Sequence, residues 1–392
     1  MTTLGWLLVA LPIVLAGYSY AGFPFLLWLA TRGKRPAHAI PPTTWPMISI
    51  VVPAYNEEAQ IRGTIEALLR QDYPADRRQI LILSDASTDA TDRIVEEYAD
   101  RGVELMRMPV RAGKTAAENA SRPRLKGEII VNSDASVRLA PHTVRLLVES
   151  MNDSSVGVAS TRDVSVLNHE IAANSTEASY VGYEMKLRHL ETLSGGIVGA
   201  SGSGYAIRRR LHDIRVPDML SRDFSAALNA EVSGLRAISV DDAVCYVPRT
   251  ASLWVEYRRK VRTISRGMDT LIYRRVLLDP IRHGAFAWKL WSHKVCRWLL
   301  PVAAIPGTFG LIVLAQTHLW AWIILGLAAA AAAVVAIGAT WPAGKPMPNG
   351  LSMVTFAAFA NIAVLHAITR IIFGHNDHVW EPTRRTVAPT SA

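Results

Sequence analysis

The sequence predicts an α/β domain built on a mostly parallel sheet and carried between membrane-spanning helices. Three observations predict it. β-Branched runs alternate with helical spacing from Met47 to about Val137. Acidic loops follow two of those runs. Long uncharged stretches flank this region in a chain of 392 residues that is 50% hydrophobic. Such a length holds one large domain and something more.

The first uncharged stretch is Gly5 to Ala30. At about 1.5 Å per residue it is long enough to cross a bilayer with some tilt. A cleaved signal peptide fits poorly, because no basic residue precedes the run and the run is too long. Arg32, Lys34 and Arg35 follow, which places the N-terminus outside and the central domain in the cytoplasm of a plasma or inner membrane. Pro36 to Pro46 reads as a linker.

Strands are expected at Ile48–Val52, Ile80–Leu83, Val103–Met106 and Ile129–Asn132. Pro53 is expected to stop the first, and Asn56-Glu57-Glu58 to open a helix with a capping side chain and two acids. Ile61, Ile65, Leu68 and Leu69, then Ala90, Ile94, Val95 and Tyr98, recur at helical spacing. The connections are right-handed crossovers. Beyond Val156 the pattern loosens. A helix fits Glu170 to Leu193, a Gly/Ser-rich loop Gly195 to Gly204, and a late strand Ala237 to Val247.

Trp254 to Leu278 reads as a basic helix, and Phe286 to Trp298 as an amphipathic helix on the membrane surface. Uncharged runs follow at Trp298–Gln316, Leu319–Pro342 and Leu351–Thr369. Three spans put the tail Asp377–Ala392 outside, whereas Arg384 and Arg385 argue for inside. The resulting division is an N-terminal span at 1–32, a linker at 33–46, the α/β domain at 47–280, an interfacial helix at 281–297, about three spans at 298–373 and a tail at 374–392.

The net charge of +9 is local. Arg249 to Arg297 holds twelve Lys and Arg against Glu256, Asp269 and Asp279. Such a block suits membrane lipids or a diphosphate. No aromatic-interleaved motif accompanies it, so nucleic acid is not the expected partner. Cys245 and Cys296 lack metal or redox spacing and read as reduced. The eleven histidines are scattered, His375 and His378 alone standing at HxxH spacing, and no metal site is assigned to them.

Asp85 and Asp134 fall just beyond strand ends, the edge of such a sheet where ligands bind. One carboxylate there can accept from a base N–H, and another can hold a divalent metal on a diphosphate. The ordinary alternative for any one of these acids is a turn or helix cap, and for Asp89 the cap is preferred.

VVPAYNEE at 51–58, SDASTDAT at 84–91, RAGKTAAENA at 111–120 and SDAS at 133–136 resemble the ordered motifs of family-2 inverting glycosyltransferases. GASGSGYAIRR at 199–209, SRD at 221–223 and RRKVRT at 258–263 continue the series. The membrane-bound cellulose, hyaluronan and poly-N-acetylglucosamine synthase branch is the most similar. The resemblance implies a GT-A fold and a nucleotide-sugar donor, with UDP-sugars foremost. It implies a glycan or lipid-linked acceptor at the membrane, and Mg²⁺ or Mn²⁺ as cofactor.

By the same resemblance, Pro53, Tyr55 and Glu57 would line the nucleotide pocket, Asp85 would contact the base, and Lys114 would sit near the nucleotide. Asp134 would be the metal ligand and Asp223 the general base. Ser201, Gly202 and Ser203 would face the acceptor, and Arg259 and Arg262 the leaving diphosphate. Three motifs depart from the pattern. Ser136 replaces the second acid of DxD, Arg222 the middle acid of TED, and Thr263 the tryptophan of QxxRW. These departures weigh against processive synthesis more than against sugar transfer. A single-transfer enzyme acting on a lipid, and a non-catalytic nucleotide-sugar binder or scaffold, are the competing readings.

Overall fold

A computed structural model describes residues 2–35, 41–166, 173–248, 253–342 and 347–374, without the side chains of 173–178. Part of the expected linker (36–40), the start of the expected helix at 170–172, and the tail at 375–392 with Arg384 and Arg385 lie outside the described residues.

Eight strands form one sheet: β1 Ile48–Ala54, β2 Arg78–Ser84, β3 Val103–Arg107, β4 Ile129–Ser133, β5 Arg138–Leu139, β6 Val156–Val166, β7 Gly204–Arg208 and β8 Arg236–Pro248. Their order is β3-β2-β1-β4-β7-β6-β8-β5. β1 pairs in parallel with β2 and β4, β2 with β3, and β6 with β8, while β7 runs antiparallel to β4 and β6 and β5 antiparallel to β8.

β1 is buried along its whole length. Ile48, Ile50 and Val52 enter one core cluster and Val51 the opposite one, because successive side chains leave opposite faces. From β1 the chain first builds outward through β2 and β3, then returns to place β4 on the other side. That reversal is the switch point at which such sheets bind ligands.

Two local expectations are corrected. β1 continues through Pro53 to Ala54, but its pairing with β4 ends at Val51–Asn132, so Pro53 stands where one flank is already open. Asn56 does not cap a helix. Its φ is +51°, its side chain accepts from the Thr88 amide at 2.8 Å, and the helix begins at Ile61. Asp89 does cap: its carboxylate accepts from the Thr91 amide at 2.9 Å, at the start of the helix Thr91–Glu96.

Four described helices are long and apolar enough to cross a membrane: Thr2–Thr31, Pro280–Ala315, Leu319–Ala339 and Asn349–Ile372. The stretch 281–297 is not a separate surface helix. Helix Pro280–Leu290 passes through a π-helical turn, Trp291–Val295, directly into Cys296–Ala315. Two of its cations, Lys289 and Arg297, face protein rather than lipid headgroups. Lys289 donates to the Gly196 carbonyl at 2.5 Å, and Arg297 pairs with Glu184. Lys289 and Arg297 of the basic block are therefore taken up by protein partners, and helical periodicity alone could not tell protein from membrane on that face.

Candidate active site

The site is assembled at the carboxyl ends of β1, β2 and β4. Asp85 follows β2 and is 2% exposed. Its two oxygens accept the Ala112 and Gly113 amides, each at 2.8 Å. Gly113 sits at φ +94°, a left-handed turn that glycine tolerates, and Lys114 begins the helix Lys114–Ser121. Lys114 Nζ then reaches Asp134 Oδ1 at 2.5 Å and the Gly202 carbonyl at 3.4 Å. Burial alone would lower the Lys114 pKa. Asp134, Glu118 and Asp223 more than reverse this, so the ammonium is held well above its ordinary range.

The antiparallel register of β4 and β7 sets Ser133 opposite Gly204, and the Asp134 amide donates to the Ser203 carbonyl at 3.2 Å. This brings the loop 199–203 against Asp134. Asp163 on β6 fixes that loop by accepting from the Ser201 hydroxyl at 2.7 Å and the Ser203 hydroxyl at 3.2 Å. Asp223 stands in the first turn of helix Arg222–Val232 and accepts from the Ser221 hydroxyl. A Cβ on Gly202 would lie 2.9 Å from Asp223 Oδ2. The loop and the carboxylate are thus in contact distance, with room for hydrogen alone.

A cavity of about 470 Å³ unites Lys114, Asp134, Ser201, Gly202, Ser203, Asp223, Arg259 and Arg262. Pro53, Tyr55, Glu57 and Asp85 do not line it. Tyr55 instead carries the Arg111 guanidinium 3.9 Å from its ring centroid, beside the loop that Asp85 holds. Both Asp85 oxygens accept amides of the turn that precedes Lys114, so Asp85 fixes that turn through the backbone. Arg259 donates to both oxygens of Glu256 at 2.6 and 2.8 Å, so its charge is compensated within its own helix. Arg208 and Arg209, which close the motif at 199–209, lie at the far end of β7. There they bind the Val156 carbonyl at 2.7 Å and the Leu125 carbonyl at 2.8 Å.

Arg222 turns away from its neighbour Asp223. It donates to Asn119 and to the His212 carbonyl, each at 2.8 Å, and its Nε lies 3.4 Å from Glu118. Glu118 is 0% exposed. Burial raises its pKa, and Lys114 and Arg222 oppose that rise only in part.

Sequence reasoning passed over Asp163, Arg188, Arg266 and Lys294, which also line the cavity. Asp163 lies in the loosened region after Val156, and Lys294 lay in the stretch read as facing the membrane. Nothing in their local pattern marks them.

Among the described residues, no three His, Cys, Asp or Glu gather as a metal cluster. Asp134 with Ser136 supplies only hard oxygen donors, and both line the cavity. That set fits Mg²⁺ or Mn²⁺ only as part of a shell completed by water and ligand phosphate oxygens.

The strand order, the acidic loops at the switch point and the flanking helices define a GT-A glycosyltransferase fold. Residues 49–214 match the family described as glycosyl transferase family 2. A β-monoglucosyldiacylglycerol synthase from Nostoc sp. is 29% identical over 274 residues, covering 67% of this chain and 58% of that protein. An N-acetylglucosaminyltransferase from Mesorhizobium japonicum is 31% identical over 132 residues, 31% of each chain. The chain therefore spans less than two thirds of these relatives. Among solved structures, a mannosyltransferase from Pyrobaculum calidifontis in complex with GDP-Man and Mn²⁺ superposes with a TM-score of 0.72 at 22% identity, covering 94% of this chain and 100% of that one. At that identity the likeness is one of fold.

Proposed function

We propose that this protein is a membrane-bound inverting glycosyltransferase. It moves a sugar from a nucleotide-sugar donor, a UDP-sugar foremost, to a glycan or lipid-linked acceptor presented at the membrane. The observation that carries this reading is the single cavity in which Asp223, the Lys114–Asp134 pair and the loop 199–203 meet beside membrane-helix residues Lys294 and Trp298. A mere nucleotide-sugar binder has no need of a carboxylate in contact distance of an acceptor loop.

In this mechanism Asp223 Oδ2 takes the proton of the acceptor hydroxyl as that oxygen attacks the anomeric carbon. The bond from the anomeric carbon to the diphosphate breaks on the opposite face, and the diphosphate leaves with the electron pair. Lys114 and Arg262 meet its charge. Asp134 and Ser136 would hold the divalent cation, which supplies further neutralisation of the diphosphate when bound. Tyr55 with Arg111 offers a flat surface on the donor side. The names of the Nostoc and Pyrobaculum proteins support a lipid acceptor and a nucleotide-activated sugar.

The deciding experiment is turnover of a donor panel, including UDP-sugars and GDP-mannose, with membrane lipid extract as acceptor, with and without Mg²⁺ or Mn²⁺. No turnover of any donor by protein that binds UDP would favour the binder instead. In the same assay Asp134→Ala is expected to lose metal stimulation. Full activity of that variant in chelator would remove the metal role.

Arg32, Lys34 and Arg35 after the first span support a cytoplasmic catalytic domain. Reporter fusions after residues 35 and 250 are expected to report cytoplasm, and an outside signal from either would reverse the orientation. Gly202→Ala is expected to cut transfer by about 10²-fold, since a displacement near 1 Å from the reactive geometry has that cost. Its Cβ pushes on the end of the Asp223 side chain and not on backbone. UDP affinity should hold, and unchanged transfer would separate the loop from the base.

A further inference from the structure

Four carboxylates line the catalytic cavity, and each has a partner. Asp134 has Lys114, Asp163 has Ser201 and Ser203, Asp223 has Ser221, and Glu184 has Arg297 and His293. His293 is itself held between Glu184 at 2.9 Å and Glu191 at 2.7 Å, so it draws off both acids of helix Ala173–Leu193 that lie nearest.

Two cations on the same wall make no ion pair among the described residues, and Lys294 feels Glu184 and Glu191 only at longer range. Arg188 Nε and Nη1 are buried and have no hydrogen-bond partner among the described residues, and its Nη2 only approaches the Ala200 carbonyl at 3.5 Å. Lys294 has neither hydrogen bond nor ion pair among the described residues, and rests 5.9 Å from the Phe224 ring centroid. A Cβ on Gly199 would come 3.8 Å from Lys294 Cε, so Lys294 and Arg188 flank the same two residues, Gly199 and Ala200. Like charges gathered in a partly desolvated cavity, with guanidinium protons unpaired, are costly unless an anion joins them.

We propose that Arg188 and Lys294 form a phosphate subsite for the acceptor, separate from the donor diphosphate, and that the acceptor is a phosphate-bearing lipid. The proposal rests on the glycosyltransferase reading and names its acceptor class. Donor-side groups come from the ends of β2 and β4 and from helix Leu253–Tyr273. Arg188 and Lys294 come from the helix beneath the acceptor loop and from the membrane helix. Lys294 lies three residues before Arg297, the last charged residue ahead of the uncharged run Trp298–Gln316, and so stands where that run begins. A lysine at that boundary lies at headgroup depth. A phosphate held there would present its lipid's reacting oxygen to the loop 199–203 and Asp223.

The test uses the full chain in detergent and measures binding of dioctanoyl phosphatidic acid, dioctanoylglycerol, inorganic phosphate and UDP by calorimetry. Wild type is expected to bind phosphatidic acid more tightly than dioctanoylglycerol or inorganic phosphate. Arg188→Gln with Lys294→Met should weaken phosphatidic acid by about 10–100-fold, the range for charged hydrogen bonds, and leave UDP within about twofold. Arg188→Lys with Lys294→Arg should keep most of the affinity, which guards against a folding defect. Equal binding of dioctanoylglycerol, or undiminished phosphatidic acid binding by the double variant, would overturn the subsite. Inorganic phosphate binding as tightly as the lipid would assign it to a free anion and overturn the lipid source. A parallel loss of UDP would assign both cations to the donor. Failure of wild type to bind UDP at all would instead strike the glycosyltransferase reading, whatever the lipid result.

Discussion

Asp223→Asn is expected to cut sugar transfer by roughly 10²–10⁴-fold, the usual range for general-base catalysis. An amide has the shape of the carboxylate but cannot take up the acceptor proton. Three features place Asp223 for that role. Its helix begins at Arg222 in a turn fixed by the Ser221 amide, which donates to Thr270 Oγ1 at 3.0 Å. Its Oδ1 accepts from the Ser221 hydroxyl, which leaves Oδ2 toward Gly202. Its neighbour Arg222 is bonded to Asn119, His212 and Glu118, so it does not hold Asp223 as an ion-pair anchor. UDP affinity and melting temperature should therefore change little in the variant. Loss of both alongside transfer would show an anchor and not a base, and full transfer in a well-folded Asp223→Asn would move the role to another carboxylate.

The parallel half of the fold was legible in the sequence because β1, β2 and β4 are buried on both faces and so read as continuous apolar runs. β6 and β7 were not. β6 carries Asp163 into the cavity, and the polar run Ser160 to Asp163 erased the strand pattern that its buried start provides. Motif order marked Lys114, Asp134 and Asp223, and these do converge in one cavity. It could not show that Asp85 acts through the Gly113 turn, because that depends on backbone amides that any residue supplies. Nor could it find Arg188 or Lys294. Their meaning lies in the partners they lack, and those depend on His293 binding two distant acids.

Arg222→Met is expected to destabilise the folded domain by about 3–5 kcal/mol, the cost of removing one partner from a buried ion pair. Arg222 is 5% exposed and Glu118 0%. The variant leaves the Glu118 carboxylate with Lys114 as its remaining nearby cation, and Lys114 is already committed to Asp134. The pH dependence follows from the raised Glu118 pKa, whose largest cause is burial. An acid raised on folding binds its proton more readily in the folded state than in the unfolded one. It therefore has no effect below the ordinary glutamate pKa, where both states are protonated. Stability then falls as pH rises through the folded value. Losing Arg222 raises that value further and extends the falling window upward. Glu118→Gln should flatten the same window, and the paired Arg222→Met/Glu118→Met should recover most of the loss, since an apolar pair of similar volume is often no worse than a buried ion pair. Melting temperatures of the four proteins between about pH 4 and 8 separate the terms. A pH slope identical in wild type and Glu118→Gln would show that Glu118 is not the titrating group. An Arg222→Met variant as stable as wild type would show that Arg222 does not hold it.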